Sequence, residues 1–274
     1  MKDKLAGSPG AARSSGTDAV GSGAQRADSY LQSLDKGLSV LNCFDVDAAS
    51  LTISEVAERS GFDRAFVRRA LLTFTHLGYL QTDGKRYALT ARVLSVGYRY
   101  LGALPFWKVA QPILQELSDE INETVSIGVL DQLETVFVLR VPARRLLTFD
   151  PSIGSRVPAH LNSIGQVLMA AMADDALAAY LDQITYARFT ARTVTDKALL
   201  QAQLAQVREQ GWSFTSEQYE QGHCGIAVPL RRGRGPVTGG LNVSLLADRH
   251  AETRAIEELL PRIQLAARRI SADL

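Results

Sequence analysis

Leu51-Thr52-Ile53-Ser54-Glu55-Val56-Ala57-Glu58-Arg59-Ser60-Gly61-Phe62-Asp63-Arg64-Ala65-Phe66-Val67-Arg68-Arg69-Ala70-Leu71 reads as two short helices joined by a tight turn. Thr52 and Glu55, three residues apart, make a capping box, and Leu51 with Val56 supplies the matching hydrophobic staple. Ile53, Val56, Ala57 and Ser60 share one side, and Gly61 offers the left-handed residue that favours a helix stop. Asp63 caps the second helix, where Val67, Ala70, Leu71 and Phe74 recur at helical spacing as one apolar stripe. Arg64, Ala65, Arg68 and Arg69 then fall at its front, flanking or opposite the stripe, where a recognition helix presents side chains to the major groove. Phe66 stays open between contact with a thymine methyl and packing.

Outward from this motif the pattern is that of a winged helix-turn-helix. After Gly78, the segments Tyr79 to Thr82 and Lys85 to Leu89 flank Asp83-Gly84, a pair suited to a type I′ hairpin turn, with Lys85 and Arg86 at the tip of the wing. Between Arg64 and Arg92 the bases are Arg64, Arg68, Arg69, Lys85, Arg86 and Arg92, against the single acid Asp83. A trihelical packing unit with a solvated basic face would give a similar string. Cap, turn, stripe, wing and charge together favour the phosphates of double-stranded DNA. The candidate DNA contacts are Thr52, Arg64, Ala65, Phe66, Arg68, Arg69, Lys85 and Arg86. Leu34, Leu38, Leu41 and Phe44 fall at i, i+4, i+7 and i+10, so a preceding amphipathic helix over 33–45 completes a three-helix unit.

At 274 residues the chain is too long for this unit alone. A net charge of +1 makes the basic surface local, which excludes a general polyanion binder. Residues 1–28, rich in Gly, Ser and Ala, are predicted to be a disordered tail. They show no signal peptide and no later run is long enough to span a bilayer, so a cytoplasmic protein without membrane contact is expected. Cys43 and Cys224 give no disulfide framework, and four scattered histidines give no ligand spacing, so neither a metal nor a cofactor is expected.

The predicted layout is a tail at 1–28, the winged helix-turn-helix at 29–90, a connecting helix at 91–104 and an effector domain at 105–274. Residues 91–102 carry Leu, Val and Tyr on more than one side, as in a helix that packs against a partner chain. A helix over 105–122 contains Pro112, which either kinks it or marks its first turn. Strands are predicted at 124–130, 135–141, 145–149, 212–216, 224–231 and 238–246, and helices at 163–172, 174–182, 196–210 and 252–271. The fold class is therefore α/β with two domains, the second built on a central antiparallel sheet.

Ser33-Leu34-Asp35-Lys36-Gly37-Leu38, Leu77-Gly78-Tyr79-Leu80, and Gly154-Ser155-Arg156-Val157-Pro158-Ala159-His160 before Ser163-Ile164-Gly165-Gln166-Val167-Leu168-Met169-Ala170 resemble the IclR family of bacterial transcriptional regulators. The resemblance covers residues 30–272. Arg140-Val141-Pro142-Ala143-Arg144-Arg145 and Arg64 to Arg69 look closest to the branch that controls protocatechuate and hydroxybenzoate genes. It implies a GAF-like effector domain, dimers that often pair into tetramers, response to small organic acids, and an RNA polymerase contact in the case of an activator. Two departures stand out. Ala65-Phe66 replaces the usual Ser-Thr pair of the recognition helix, and Thr215-Ser216 stands where family pockets often carry an acid.

A helix beginning at Ser163 offers unpaired N–H groups to a carboxylate, and family pockets use this place. Asn162, Ser163 and Ile164 lie at that start, with Arg156 and His160 near enough in sequence to add positive charge. The plain alternatives are that Asn162 or Ser163 caps the helix and Arg156 pairs with a surface acid. Leu147, Phe149, Ile226 and Val228 alternate on two strands and could wall an aromatic ring or form core. Thr215, Gly225, Asn242 and Ser244 complete the candidate effector contacts. An enzymatic reading would need His223-Cys224 and His160 as base and nucleophile, yet neighbours on a strand face opposite ways and no orienting carboxylate is evident. The leading expectation is a ligand-responsive regulator on a near-palindromic operator, ahead of an architectural DNA-binding protein and a small-molecule enzyme.

Overall fold

The computed structural model describes residues 30–45, 47–143, 151–233 and 235–272. They form two compact units that divide between Leu94 and Ser95. The first contains α1 (Gln32–Leu41), β1 (Ser50–Thr52), α2 (Ile53–Ser60), α3 (Arg64–His76), β2 (Leu80–Thr82) and β3 (Arg86–Leu89), with the strands in the order β1-β3-β2. Val40, Leu51, Val56, Val67, Leu71, Leu80 and Tyr87 are buried together at its centre. The capping box at Thr52 and Glu55 is present, Gly61 is left-handed at φ 71°, and Asp63 accepts from the Phe66 N–H.

Two local expectations are corrected here. The Leu34 and Leu38 row of α1 is 61% and 53% exposed, whereas Gly37 and Val40 are buried. Gly37 lies against the Phe74 ring, where a Cβ would meet Cζ at an ordinary contact distance of 3.6 Å, and with Val40 it forms the inner face of α1. The wing turn is also not type I′, which needs positive φ at both central residues. Gly84 alone among Asp83, Gly84 and Lys85 has it, at 95°. The Asp83 carboxylate instead accepts from Lys85 N–H (2.9 Å) and Arg86 N–H (2.7 Å), a side chain closing its own turn.

A 3₁₀ turn (Ala91–Val93) leads into α4 (Leu94–Ala103), none of whose residues is buried. The second unit then holds α5 (Trp107–Ile121), β4 (Thr124–Asp131), β5 (Glu134–Val141), β6 (Arg156–Pro158), α6 (Ser163–Ala170), α7 (Asp174–Leu181), α8 (Lys197–Gln210), β7 (Ser213–Ser216), β8 (His223–Arg231), β9 (Val237–Leu246), α9 (Ala251–Arg254) and α10 (Leu260–Ala272). Pro112 sits inside α5 beyond its first turn. A π turn at Ala255–Leu259 joins α9 to α10, just before Pro261, which has no N–H to give the helical ladder.

All six strands of the second unit pair antiparallel, in the order β6-β5-β4-β9-β8-β7. Strand alternation gives each face its own core. Ile127, Leu139, Ile226, Val228, Leu241 and Val243 pack with α5 and α10 on one side. Phe137, Val157 and Ala227 pack with α6, α7 and α8 on the other. The edge strand β6 is absent from the sequence-based layout, and the predicted strand 145–149 lies outside the described residues. No helix among the described residues is long and apolar enough to cross a membrane.

Candidate functional site

In the first unit the capped start of α3 leaves Arg64, Ala65, Arg68 and Arg69 exposed, while Val67 and Leu71 turn inward. No ion pair among the described residues engages Arg64, Arg68 or Arg69, so three guanidiniums with five donors each face outward from about one and a half turns of helix. Phe66 is half-buried and meets Phe62 edge to face at 5.6 Å, with the Lys36 ammonium 5.8 Å from its ring centre. Of the two readings of Phe66, the geometry supports packing. Thr52 spends its hydroxyl on the Glu55 N–H. Hydrogen bonding to Thr52 also lowers the pKa of the Glu55 carboxyl.

The wing divides its two basic residues. Lys85 is exposed at the turn, but Arg86 folds back: its guanidinium donates to the Ser50 carbonyl and to Ser50 Oγ (3.2 Å), and lies 3.4 Å from the Glu55 carboxylate. Arg86 therefore ties β3 to β1 and to the start of α2, and its placement at the wing tip is corrected.

In the second unit a cavity of about 20 Å³ lies over the start of α6. Asn162, Ser163, Ile164, Thr215, Asn242 and Ser244 line it, together with Phe137, Val157, Leu161, Glu217, Gln218, Tyr219 and His223. The helix reaches the sheet closely because glycines lie beneath it. A Cβ on Gly240 would sit 2.9 Å from Ile164 Cγ2, and one on Gly225 would sit 2.7 Å from Asn242 Nδ2. Gly225 thus serves the site by leaving room.

The hydrogen bonds at this spot run one way. Ser244 Oγ donates to Asn242 Oδ1 (3.0 Å), and Asn242 Nδ2 donates to Ser163 Oγ (2.9 Å). Asn162 Oδ1 caps the helix at the Gly165 N–H (2.8 Å) and accepts from Thr135 Oγ1 (3.1 Å), while its amide donates to the Pro158 carbonyl (2.9 Å). Asn162 is thereby a cap, as the plainer alternative had it. What is left over is the Ser163 hydroxyl hydrogen and the peptide N–H groups of Ser163 and Ile164, none bonded to a described residue. These three donors sit at the buried start of α6. At the other end of that helix, Arg208 from α8 donates to the carbonyls of Ala170 (2.7 Å) and Met172 (2.8 Å) and pairs with Asp174 (2.6 Å).

Several expected contacts do not belong to this cavity. Arg156 lies at the sheet edge, paired with Asp131 and Glu134 at 2.6 Å each, so its charge is already met. His160 is 4% exposed, and burial pulls its pKa down to about 4, so it is a neutral ring set against Tyr186 and supplies no positive charge. Ile226 and Val228 point into the core beneath α5 and α10. Leu147 and Phe149 lie outside the described residues. Phe137, Val157 and Leu161 form the apolar wall in their place.

The resemblance sets Thr215-Ser216 where family pockets often carry an acid, yet the residue directly after Ser216, Glu217, is an acid that lines the cavity. Glu217, at φ 53°, lines the cavity, accepts from the Gly222 N–H (3.0 Å) and pairs with Arg192 (3.1 Å). An acid directly after a short strand and just ahead of Gln218-Tyr219 was the available sequence signal. His223, likewise held neutral near 4 by burial, faces the cavity, while Cys224 on the next position packs into the opposite core with its thiol pushed up to about 12. His223 and Cys224 therefore do not meet as base and nucleophile. No group of three metal-binding side chains occurs among the described residues.

An exposed arginine-bearing helix after a capped turn, and a separate α/β unit holding a buried polar focus, define a two-part arrangement that can be compared with known proteins. Residues 33–84 match the IclR helix-turn-helix domain, and residues 98–272 match the bacterial transcriptional regulator IclR C-terminal domain. The chain belongs to the IclR family of bacterial transcriptional regulators. It is 36% identical to the Pca regulon regulatory protein of Pseudomonas putida over 89% of this chain and 84% of that one. Against the p-hydroxybenzoate hydroxylase transcriptional activator of Acinetobacter baylyi the figures are 34%, 88% and 91%. The crystal structure of an IclR homolog from Microbacterium hydrocarbonoxydans, complexed with 4-hydroxybenzoate, superposes with a TM-score of 0.78 at 25% identity, covering 88% of this chain and 98% of that one. The helix-turn-helix of this IclR regulator makes DNA its partner.

Proposed function

We propose that this regulator controls genes of aromatic-acid breakdown by binding a small aromatic carboxylate over α6. The carrying observation is the trio of leftover donors at Ser163 and Ile164, which suits an acceptor-only, anionic group at a helix start. The ring would lie on Phe137, Val157 and Leu161, and a ring hydroxyl would meet Glu217 and neutral His223 across the cavity. Relatives named for pca and p-hydroxybenzoate control, and a structural neighbour holding 4-hydroxybenzoate, support the same class. The closed cavity has the room of about one water. Entry of the acid therefore requires the lining to yield, and the turn from Glu217 to Gly222 is the segment we assign to that movement.

On this reading residues 29–90 bind the operator, 91–104 connect, and 105–274 sense the acid. Leu94, Val96, Tyr98 and Tyr100, each more than half exposed, give α4 an apolar surface suited to a homodimer, which can pair into a tetramer. A twofold dimer calls for a near-palindromic operator with half-sites about one helical turn apart, and RNA polymerase is a further partner if the regulator activates. Calorimetry with 4-hydroxybenzoate and protocatechuate on wild type and Ser163→Phe tests the site. Binding by wild type and its loss in the variant is expected, whereas equal affinity would place the acid elsewhere.

A further inference from the structure

Two arginines without carboxylate partners among the described residues share a hollow at the opposite end of β8 from the effector cavity. Arg156, Arg192, Arg208, Arg254, Arg262 and Arg269 of the second unit each hold a carboxylate. Arg231 and Arg268 are exposed and make no ion pair among the described residues, and both line one open trough of about 360 Å³ between β8 and α10. Its floor is Val228, Pro229 and Ala267, and its rim includes Gln264 and Ser271. A smaller hollow continues it past Pro229 and Arg231 towards α6 and α8. Among the described residues no carboxylate lines either hollow. The bulge between Leu230 and Arg231 breaks the strand register where the arginine leaves the sheet, a device that re-aims a side chain.

Two uncompensated guanidiniums above an apolar floor favour a planar or extended body carrying two negative charges. Its size lies within the range of small-molecule sites. Since β8 places His223 at the effector cavity and Arg231 eight residues further on, the two sites stand about 27 Å apart. We propose that this trough binds a small dianion, a dicarboxylate or a phosphate, as a second ligand of the regulator, separate from the acid over α6.

The test is calorimetry on the full chain with adipate, inorganic phosphate and, as a single-charge control, benzoate. Wild type, Arg231→Gln, Arg268→Gln and Ser163→Phe are compared, with melting temperatures recorded to show that each variant is folded. Saturable binding of adipate or of phosphate with a Kd of about 1 mM or tighter is expected, weakened about tenfold by either arginine substitution and unchanged by Ser163→Phe. Adipate binding alone assigns a dicarboxylate, and phosphate binding alone assigns a phosphate. No binding of either by wild type, or equal binding by the arginine variants, overturns the site. Loss of binding in Ser163→Phe would refer the dianion to the effector cavity and also overturn it. A trough that takes only an acidic peptide, with neither small dianion bound, would overturn it in favour of a protein-docking role.

Discussion

The two units treat their polar groups in opposite ways. On α3 the working groups are exposed, single and uncommitted: Arg64, Arg68 and Arg69 hold no carboxylate among the described residues. Over α6 they are buried and mutually bonded, and Ser244, Asn242 and Ser163 are oriented by one another before any ligand arrives. The first arrangement suits a polyanion whose position is set by many phosphates, the second a small acid that must be recognised by a few fixed donors. Substituting these groups should therefore cost binding but not folding on α3, and both together over α6.

The largest effect should come from changing Arg64, Arg68 and Arg69 together to Ala. A bidentate arginine–guanine pair is worth about 1–3 kcal/mol, so operator binding in a gel-shift titration at fixed salt should vanish while the melting temperature stays put. Retained affinity would remove α3 from the recognition role and dissolve the contrast.

Acid should separate the units next. His160 and His223 are neutral in the folded protein, with pKa values near 4 against an ordinary 6.5. The unfolded chain binds the protons more readily, so stability is complete above about pH 6.5 and falls as the pH drops towards 4. The loss is at most about 3 kcal/mol per histidine. His160→Phe should flatten part of the fall in melting temperature, and a curve parallel to wild type would show that the imidazole contributes nothing.

Gly225→Ala probes the buried relay directly. A Cβ there crowds Asn242 and Ser163, so a loss of about 1–3 kcal/mol in stability is expected together with weakened 4-hydroxybenzoate binding, and ligand-free operator affinity should hold. A drop in stability with ligand affinity intact would detach Asn242 from the site. The smallest effect is local: Thr52→Ala should cost about 1 kcal/mol by removing the cap of α2. Lys85→Ala should lower the salt dependence of DNA binding by about one unit of slope, without altering sequence preference. A changed preference would make Lys85 a base reader.

The first unit is the more legible because its signals are short-range. Caps at Thr52 and Asp63, the stop at Gly61 and the stripe through Val67 and Leu71 are all set within a few residues and recur in the structure. Where the outcome depends on a distant neighbour, reading by pattern fails. Leucines are the obvious apolar row of α1, yet packing against α3 places Gly37 and Val40 on the inner face and leaves Leu34 and Leu38 exposed. Alternation on β8 separates its side chains into two sets but cannot say which set meets α6, and both faces of this sheet are covered, so pattern alone puts Ile226 on the wrong one. Arg156 and His160 are near Ser163 in sequence, but Asp131 with Glu134 claims one and burial silences the other. Glu217 offers only its place directly after a short strand as a signal, and its own left-handed backbone, which pattern does not foretell, goes with its position at the cavity.

Arg208 gives the short helix over the cavity an unusual mechanical character. With Asn162 fastening its front and a guanidinium grasping the carbonyls behind Ala170, α6 is a beam about 12 Å long clamped at both ends. A beam held only at the front would bend or fray under a wedge at Ser163 and absorb the push within itself. Clamped, it would pass such a push along its length to the start of α7, where Arg208 also grips Asp174. Releasing the rear clamp with Arg208→Ala should accordingly leave the acid able to bind while its effect on operator affinity is blunted, so that sensing and signalling come apart.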